Sequence, residues 1–155
     1  MDWTEYSELP GKIRNRRLRA LFVCLGNASR SQMAEAFLKE ICGDHFEARS
    51  AGLEPGSLNP LAVEAMREIG IDISHNQTQS VFDVFKSGEL FAYVITVCDN
   101  AKENCPYFPA NTKLIHRSFE DPPQIHEADE ETRLAIFRKV RDEIADYFRE
   151  FVKEK

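Results

Sequence analysis

The stretch Leu18-Arg19-Ala20-Leu21-Phe22-Val23-Cys24-Leu25-Gly26-Asn27-Ala28-Ser29-Arg30-Ser31-Gln32-Met33-Ala34-Glu35-Ala36-Phe37-Leu38 changes character twice. Leu18 to Val23 is an apolar, β-prone run ending at Cys24, the pattern of a strand buried on both faces. Gly26 and Asn27 permit a turn. From Arg30 onward helix formers dominate, and Met33, Ala34, Phe37, Leu38 and Ile41 recur at three- and four-residue spacing until Gly43 stops the run. A strand, a short loop and a helix in that order form the first half of a βαβ unit, which demands a parallel partner strand.

The flanking sequence supplies such partners. Phe46 to Ala51 reads as a second strand before Gly52. Asn59-Pro60 starts a helix, with Asn as cap and Pro at the first helical position. Leu61, Ala62, Ala65, Met66 and Ile69 form its apolar face, and Gly70 closes it. A short helix is predicted around Val81 to Lys86, a third strand over Phe91 to Val97 and a fourth over Lys113 to His116. After Asp121-Pro122-Pro123, a long helix runs from about Asp129 to Val152, with Phe137, Val140, Ile144, Phe148 and Phe151 as its inner stripe. The alternation predicts an α/β fold: a single three-layer domain over residues 18–155, with a small four-stranded parallel sheet and helices on both faces. Residues 1–17 read as an N-terminal extension. The basic run Lys12, Arg14, Arg16, Arg17 and Arg19 fits a solvated segment.

Composition narrows the function. The 155 residues carry 26 acidic and 20 basic side chains, a formal net charge of −6. Phosphate-backbone binding wants a basic face, so nucleic acid is not an expected partner. No apolar run approaches the ~20 residues of a membrane span, so no membrane association is expected. Met1 to Lys12 lacks the basic flank and apolar core of a signal peptide, so a cytoplasmic, reducing setting is expected. There the cysteines at 24, 42, 98 and 105 call for catalytic or redox explanations rather than a disulfide scaffold. Cys98-x6-Cys105 lacks the tight paired spacing of zinc ligands, and neither metal nor cofactor is expected.

Cys24 at a strand's end, the loop Leu25-Gly26-Asn27-Ala28-Ser29 and the helix start at Arg30-Ser31 make a concave site of backbone N–H groups, suited to a tetrahedral oxyanion. Arg30 adds a forked pair of donors. The same field favours a thiolate at Cys24, and Ser31 can donate its hydroxyl to it.

This Cys-x5-Arg-Ser loop resembles that of the low-molecular-weight tyrosine phosphatase superfamily. Within it, Ser31-Gln32-Met33-Ala34-Glu35-Ala36-Phe37 is more similar to the thioredoxin-coupled arsenate reductases. So are Ser50-Ala51-Gly52-Leu53-Glu54, Asn59-Pro60-Leu61-Ala62-Val63, Gly70-Ile71-Asp72-Ile73-Ser74 and Val94-Ile95-Thr96-Val97-Cys98-Asp99. The resemblance runs from about Leu18 to Val152. It implies reduction of arsenate to arsenite, with phosphate or sulfate as substrate mimics, through a relay: Cys24 attacks arsenate, Cys98 attacks Cys24, Cys105 attacks Cys98, and thioredoxin reduces the resulting disulfide. Spacing alone shows only that a relay is possible. Were residues 98–105 helical, the two Cα atoms would stand about 10.5 Å apart along the axis, whereas a disulfide needs them within about 7 Å. The segment must therefore unwind or loop back.

In Phe119-Glu120-Asp121-Pro122, Asp121 matches the superfamily's proton donor, with Glu120 as the fallback; a departing oxygen needs such an acid to leave as water. Cys42 matches no relay position and reads as packing. His116 matches a position before the acid loop, whereas His45, His75 and His126 read as surface residues. Three positions differ from the common reductase pattern: Ser29 for a second cysteine, Leu25 for Thr and Arg117 for Trp. Some relatives hold potassium near the loop. Asn27, Glu35 and Ser50 match three of its ligand positions, but Ser80 (or Gln79) replaces an aspartate, so no ion is expected. Two competing functions remain at this stage: a phosphatase hydrolysing phosphate monoesters through a cysteinyl-phosphate, and a non-enzymatic oxyanion-binding or redox-sensing module. Cys98 with Cys105 speaks against the first, since hydrolysis needs neither; Asp121 speaks against the second, since binding alone needs no acid.

Overall fold

Four parallel strands carry the fold, and the first of them in sequence lies inside the sheet. In a computed structural model that describes residues 18–108, 112–120 and 129–154, β1 spans Leu18–Cys24. It lies between β2 (Phe46–Gly52) and β3 (Tyr93–Thr96), with β4 (Lys113–His116) at the edge. Every β1 residue from Ala20 to Cys24 is buried, as its unbroken apolar run requires of a central parallel strand. Residues 1–17, Asp121 and His126 lie outside the described residues.

The two faces follow from strand alternation. Phe22 points at α5 (Glu130–Glu154), where its ring stands edge-on to Phe148 at 5.0 Å. Phe46 and Tyr93 meet Phe151 from the same face. The expected stripe Phe137, Val140, Ile144, Phe148 and Phe151 is buried throughout. On the other face Val94 and Thr96 share a cavity with Cys105, which follows α4 (Asp99–Asn104). Helices thus cover both faces, as the alternation predicts. Arg19, grouped by sequence with the basic run, belongs to β1 and pairs with Glu47 in register across β2 at 3.4 Å.

Two helices place the loop after β1. The first, α1 (Arg30–Cys42), emerges directly from it. The second, α2 (Pro60–Arg67), begins at Asn59, whose Oδ1 accepts from Leu61 N at 2.9 Å while its own N–H donates to Ala28 O. Gly70, at φ +84°, closes α2 in the left-handed region; its N–H reaches Arg67 O, and Ile71 N–H reaches Met66 O. These are the paired bonds of a glycine-terminated helix end. Because the helix ends there, Ile69 stands 44% exposed, not on the apolar face the periodicity suggested. The far end of α2 is clamped to α5, since Glu68 takes Arg138 and Arg141, and Arg141 also donates to Ala65 O. A remaining helix, α3 (Val81–Lys86), forms where expected. Replacing Asn59 with Ala removes one side-chain cap and is expected to lower stability by about 1 kcal/mol. Thermal unfolding should then show a midpoint roughly 3 °C lower; an unchanged midpoint would mean the cap contributes nothing.

Candidate active site

At the carboxyl ends of β1 and β3 the chain from Cys24 to Ser29 curls into a cup, and the segment after β2 fixes its orientation. Leu53, Glu54, Gly56 and Asn59 donate backbone N–H groups to the carbonyls of Cys24, Leu25, Gly26 and Ala28, at 2.8–3.1 Å. Across a trans peptide the N–H opposes the C=O. With four carbonyls turned outward, the N–H groups of Leu25, Gly26, Asn27 and Ser29 therefore face the concave side. Asn27 makes the reversal at φ 54°, a left-handed conformation that Asn tolerates better than most residues. Gly26, flanking it, keeps an ordinary φ. Gly52 lies directly beneath: a Cβ there would come 2.7 Å from Leu25 O and 2.8 Å from Asn27 N. Ser29 caps α1 by position only, with no side-chain hydrogen bond, and the first turn holds no acidic residue. The helix's leading N–H donors and its dipole are thus available to an anion.

Cys24 Sγ accepts from Asn27 N–H at 3.1 Å and lies 2.9 Å from Ser31 Oγ. The direction of the second bond follows from Asn27. Its Oδ1 accepts from the backbone N–H of Gln79 at 3.0 Å, and a backbone N–H can only donate. Asn27 Nδ2 therefore faces Ser31 Oγ, at 2.8 Å, and donates to it. That leaves the Ser31 proton for the Cys24 sulfur. Gln32 supports the arrangement, donating to Asn27 Oδ1 and Gln77 O while accepting from Asn76 Nδ2. Asn27, Ser31 and Gln32 are all buried, and a fully satisfied buried polar chain holds one geometry. Two hydrogen bonds are thus directed at the sulfur, which holds it in one position at the base of the cup.

The guanidinium of Arg30, at the first position of α1, donates from Nη1 to Phe119 O at 3.3 Å. This contact brings the start of the Phe119-Glu120-Asp121-Pro122 segment to the rim. Asp121 itself lies outside the described residues. Glu120 is exposed, and its Oε2 lies 3.9 Å from Lys139 Nζ.

Cys98 is buried at the step from β3 into α4, and Val97 N–H bonds Val23 O beside the base of the cup. Residues 99–104 are helical, so Cys98 and Cys105 stand at opposite ends of a polar six-residue helix. Burial pushes the Cys105 thiol up to about 11, which lowers its thiolate fraction below that of a free cysteine. The Cys42 thiol, at the end of α1, is raised by burial and next by the Asp44 carboxylate. It packs in the core, as its position suggests. All four cysteines are free thiols.

The oxygens that the resemblance associates with a monovalent cation are engaged by N–H donors. Gln79 Nε2 donates to the Ser50 carbonyl at 2.9 Å, Lys39 Nζ lies 3.2 Å from Glu35 Oε2, and Asn27 Oδ1 accepts from Gln79 and Gln32. Gln79, Gln32 and Gly52 were not assigned structural roles by sequence reasoning. The one local signal was a polar Gln32 on the otherwise apolar face of α1.

Comparison with known proteins agrees with this geometry. Residues 19–155 match the family described as low molecular weight phosphotyrosine protein phosphatase. The chain is 44% identical over 132 residues to the arsenate reductase of Bacillus subtilis (strain 168), covering 84% of this chain and 91% of that protein. It also resembles the thioredoxin-dependent arsenate reductase of Corynebacterium glutamicum, with TM-score 0.62 and 29% identity, over 90% of this chain and 64% of that one. A low molecular weight protein tyrosine phosphatase from T. tengcongensis superimposes with TM-score 0.71 at 25% identity, over 88% of this chain and 98% of that one.

Proposed function

The chain belongs to the low molecular weight phosphotyrosine protein phosphatase family, and from that premise we propose that it is an arsenate reductase working by a three-cysteine relay closed by thioredoxin. One observation carries the reading beyond the family's shared anion chemistry. Two further cysteines flank a short helix at the same sheet edge as the cup, and hydrolysis has no use for either.

In this reading the cup binds arsenate through the inward N–H groups of Leu25, Gly26, Asn27 and Ser29, with Arg30 holding two of its oxygens. The Cys24 thiolate attacks arsenic, and Asp121 protonates the departing oxygen, which leaves as water. The Cys98 thiolate then attacks the Cys24 sulfur. The sulfur–arsenic bond breaks, its electron pair stays on arsenic, and arsenite departs, leaving a Cys24–Cys98 disulfide. Cys105 attacks Cys98, Cys24 leaves as thiolate, and the disulfide passes to Cys98–Cys105, where the dithiol of thioredoxin reduces it. The helical spacing forbids that last bond, so α4 unwinds during the cycle. Unwinding also strips Cys105 of the burial that raises its thiol, which increases its thiolate fraction. A dithiol donor of this kind belongs to a reducing compartment, and the cytoplasm is the proposed setting. Among the described residues no helix is long and apolar enough to cross a membrane.

The test is arsenite production by the full chain with thioredoxin, thioredoxin reductase and NADPH, set against glutathione with glutaredoxin. Sustained turnover with the first system is expected. Aryl-phosphate hydrolysis with no arsenite under either donor would overturn the reductase reading in favour of a phosphatase.

A further inference from the structure

If α4 has to unwind before Cys98 and Cys105 can join, the contacts that hold its first turn set how readily the pair oxidises. Asp99 opens α4, and its Oδ1 lies 3.2 Å from His116 Nε2. The other ring nitrogen, Nδ1, lies 2.8 Å from Thr96 Oγ1. Thr96 and His116 are register partners on β3 and β4, so one imidazole bridges the rigid sheet and the helix that moves. The same ring, with Val94, Thr96, Leu114 and Cys105, lines a cavity of about 250 Å³. The bridge therefore sits beside the resolving thiol. Its two ends differ in character. The His116 side chain is only 24% exposed, whereas Asp99 is 83% exposed, so the sheet side is fixed and the helix side is free to let go. The rest of α4 offers little to hold it: Ala101 is its one buried residue.

We propose that His116 is a positioning residue of the thiol relay, latching α4 in its helical, reduced form through Asp99, so that release of this contact accompanies oxidation of Cys98 and Cys105. The proposal rests on the relay reading above, and the experiment separates the two. Oxidation removes two electrons and two protons from the thiols and passes them to an external disulfide, glutathione disulfide in the test. Because the latch belongs to the reduced form, losing it favours the disulfide.

The full chain in a Cys24→Ser/Cys42→Ser background is equilibrated in glutathione redox buffers, trapped by alkylation and read by mass spectrometry. Adding His116→Ala is expected to shift the Cys98–Cys105 equilibrium about fivefold toward the disulfide, a potential ~20 mV more negative. Asp99→Ala should move it the same way, and the two together no further than one alone, because they remove a single contact. Asp99→Asn keeps an acceptor oxygen and should recover most of the parent value. In the reduced protein, His116→Ala should also raise the alkylation rate of Cys105 several-fold. Should His116→Ala fail to fold, Asp99→Ala carries the test from an exposed position. A potential unchanged in either single variant, or fully additive shifts in the double variant, overturns the latch while leaving the relay standing. No Cys98–Cys105 disulfide at any glutathione ratio in any variant overturns the relay, and the latch with it.

Discussion

Replacing Cys98 with Ser is expected to abolish multiple-turnover arsenate reduction with thioredoxin, a loss of at least about a thousandfold, while aryl-phosphate hydrolysis stays within about twofold of the parent. The two activities separate because they draw on different atoms. Hydrolysis needs the cup, the Cys24 sulfur, Arg30 and an acid, and none of the described hydrogen bonds to Cys24, Asn27 or Ser31 comes from Cys98. Reduction needs in addition a sulfur to attack Cys24 and let arsenic leave with the electron pair; a serine hydroxyl has no comparable redox chemistry. Ser is close to Cys in volume, so the buried step from β3 into α4 should be kept. The measurement is arsenite release over many cycles alongside hydrolysis of p-nitrophenyl phosphate. Continued arsenite release would show that electrons take another route.

Gly52→Ala is expected to lower p-nitrophenyl phosphate turnover about a hundredfold without touching any reacting group. The added methyl would meet Leu25 O, Asn27 N and the Gly26 carbonyl carbon, all within 3 Å. These are backbone atoms with no side-chain freedom to swing aside. Leu25 O and Gly26 O are moreover tied to Glu54 and Gly56. The loop must shift bodily, which moves the N–H groups that line the cup. Overpacking of this kind also costs on the order of 2 kcal/mol in stability, so the unfolding midpoint should fall by roughly 6 °C. Parent-like turnover would mean that the cup tolerates displacement and that its geometry is not what the chemistry depends on.

The parts of the fold legible in the sequence are those where burial imposes a period. The run from Leu18 to Cys24 admits only a strand buried on both faces, and Phe137 to Phe151 can hide five large side chains only as a helix against a sheet. The anion cup was legible for a related reason: a cysteine at a strand end, a small loop and an arginine at a helix start leave few other uses for such residues. Where no apolar repeat exists the sequence falls silent. Asp99–Asn104 is polar along its length with Ala101 alone buried, so its helix leaves no periodic trace and the separation of Cys98 from Cys105 stayed open. Asn27 takes the left-handed turn beside a glycine equally able to take it, and only the bonds from Gln79 and to Ser31 decide between them. Gln79 is invisible in that role because its partner lies 52 positions away in the chain. Ile69 misled for the opposite reason: it keeps the helical spacing of its neighbours, but α2 ends at Arg67, two residues before it.

The start of α1, where Ser29 offers no side-chain bond, carries a consequence for how this protein stands up to heat. Many helices are finished at that end by a side chain of their own; on the proposed reading this one is completed by the oxyanion bound in the cup. Reactant and tertiary structure thus share one set of donors, and occupancy of the site adds to folding free energy by mass action, about 2.7 kcal/mol at a hundred times the dissociation constant. On that reading the substrate is the last piece of the scaffold that transforms it.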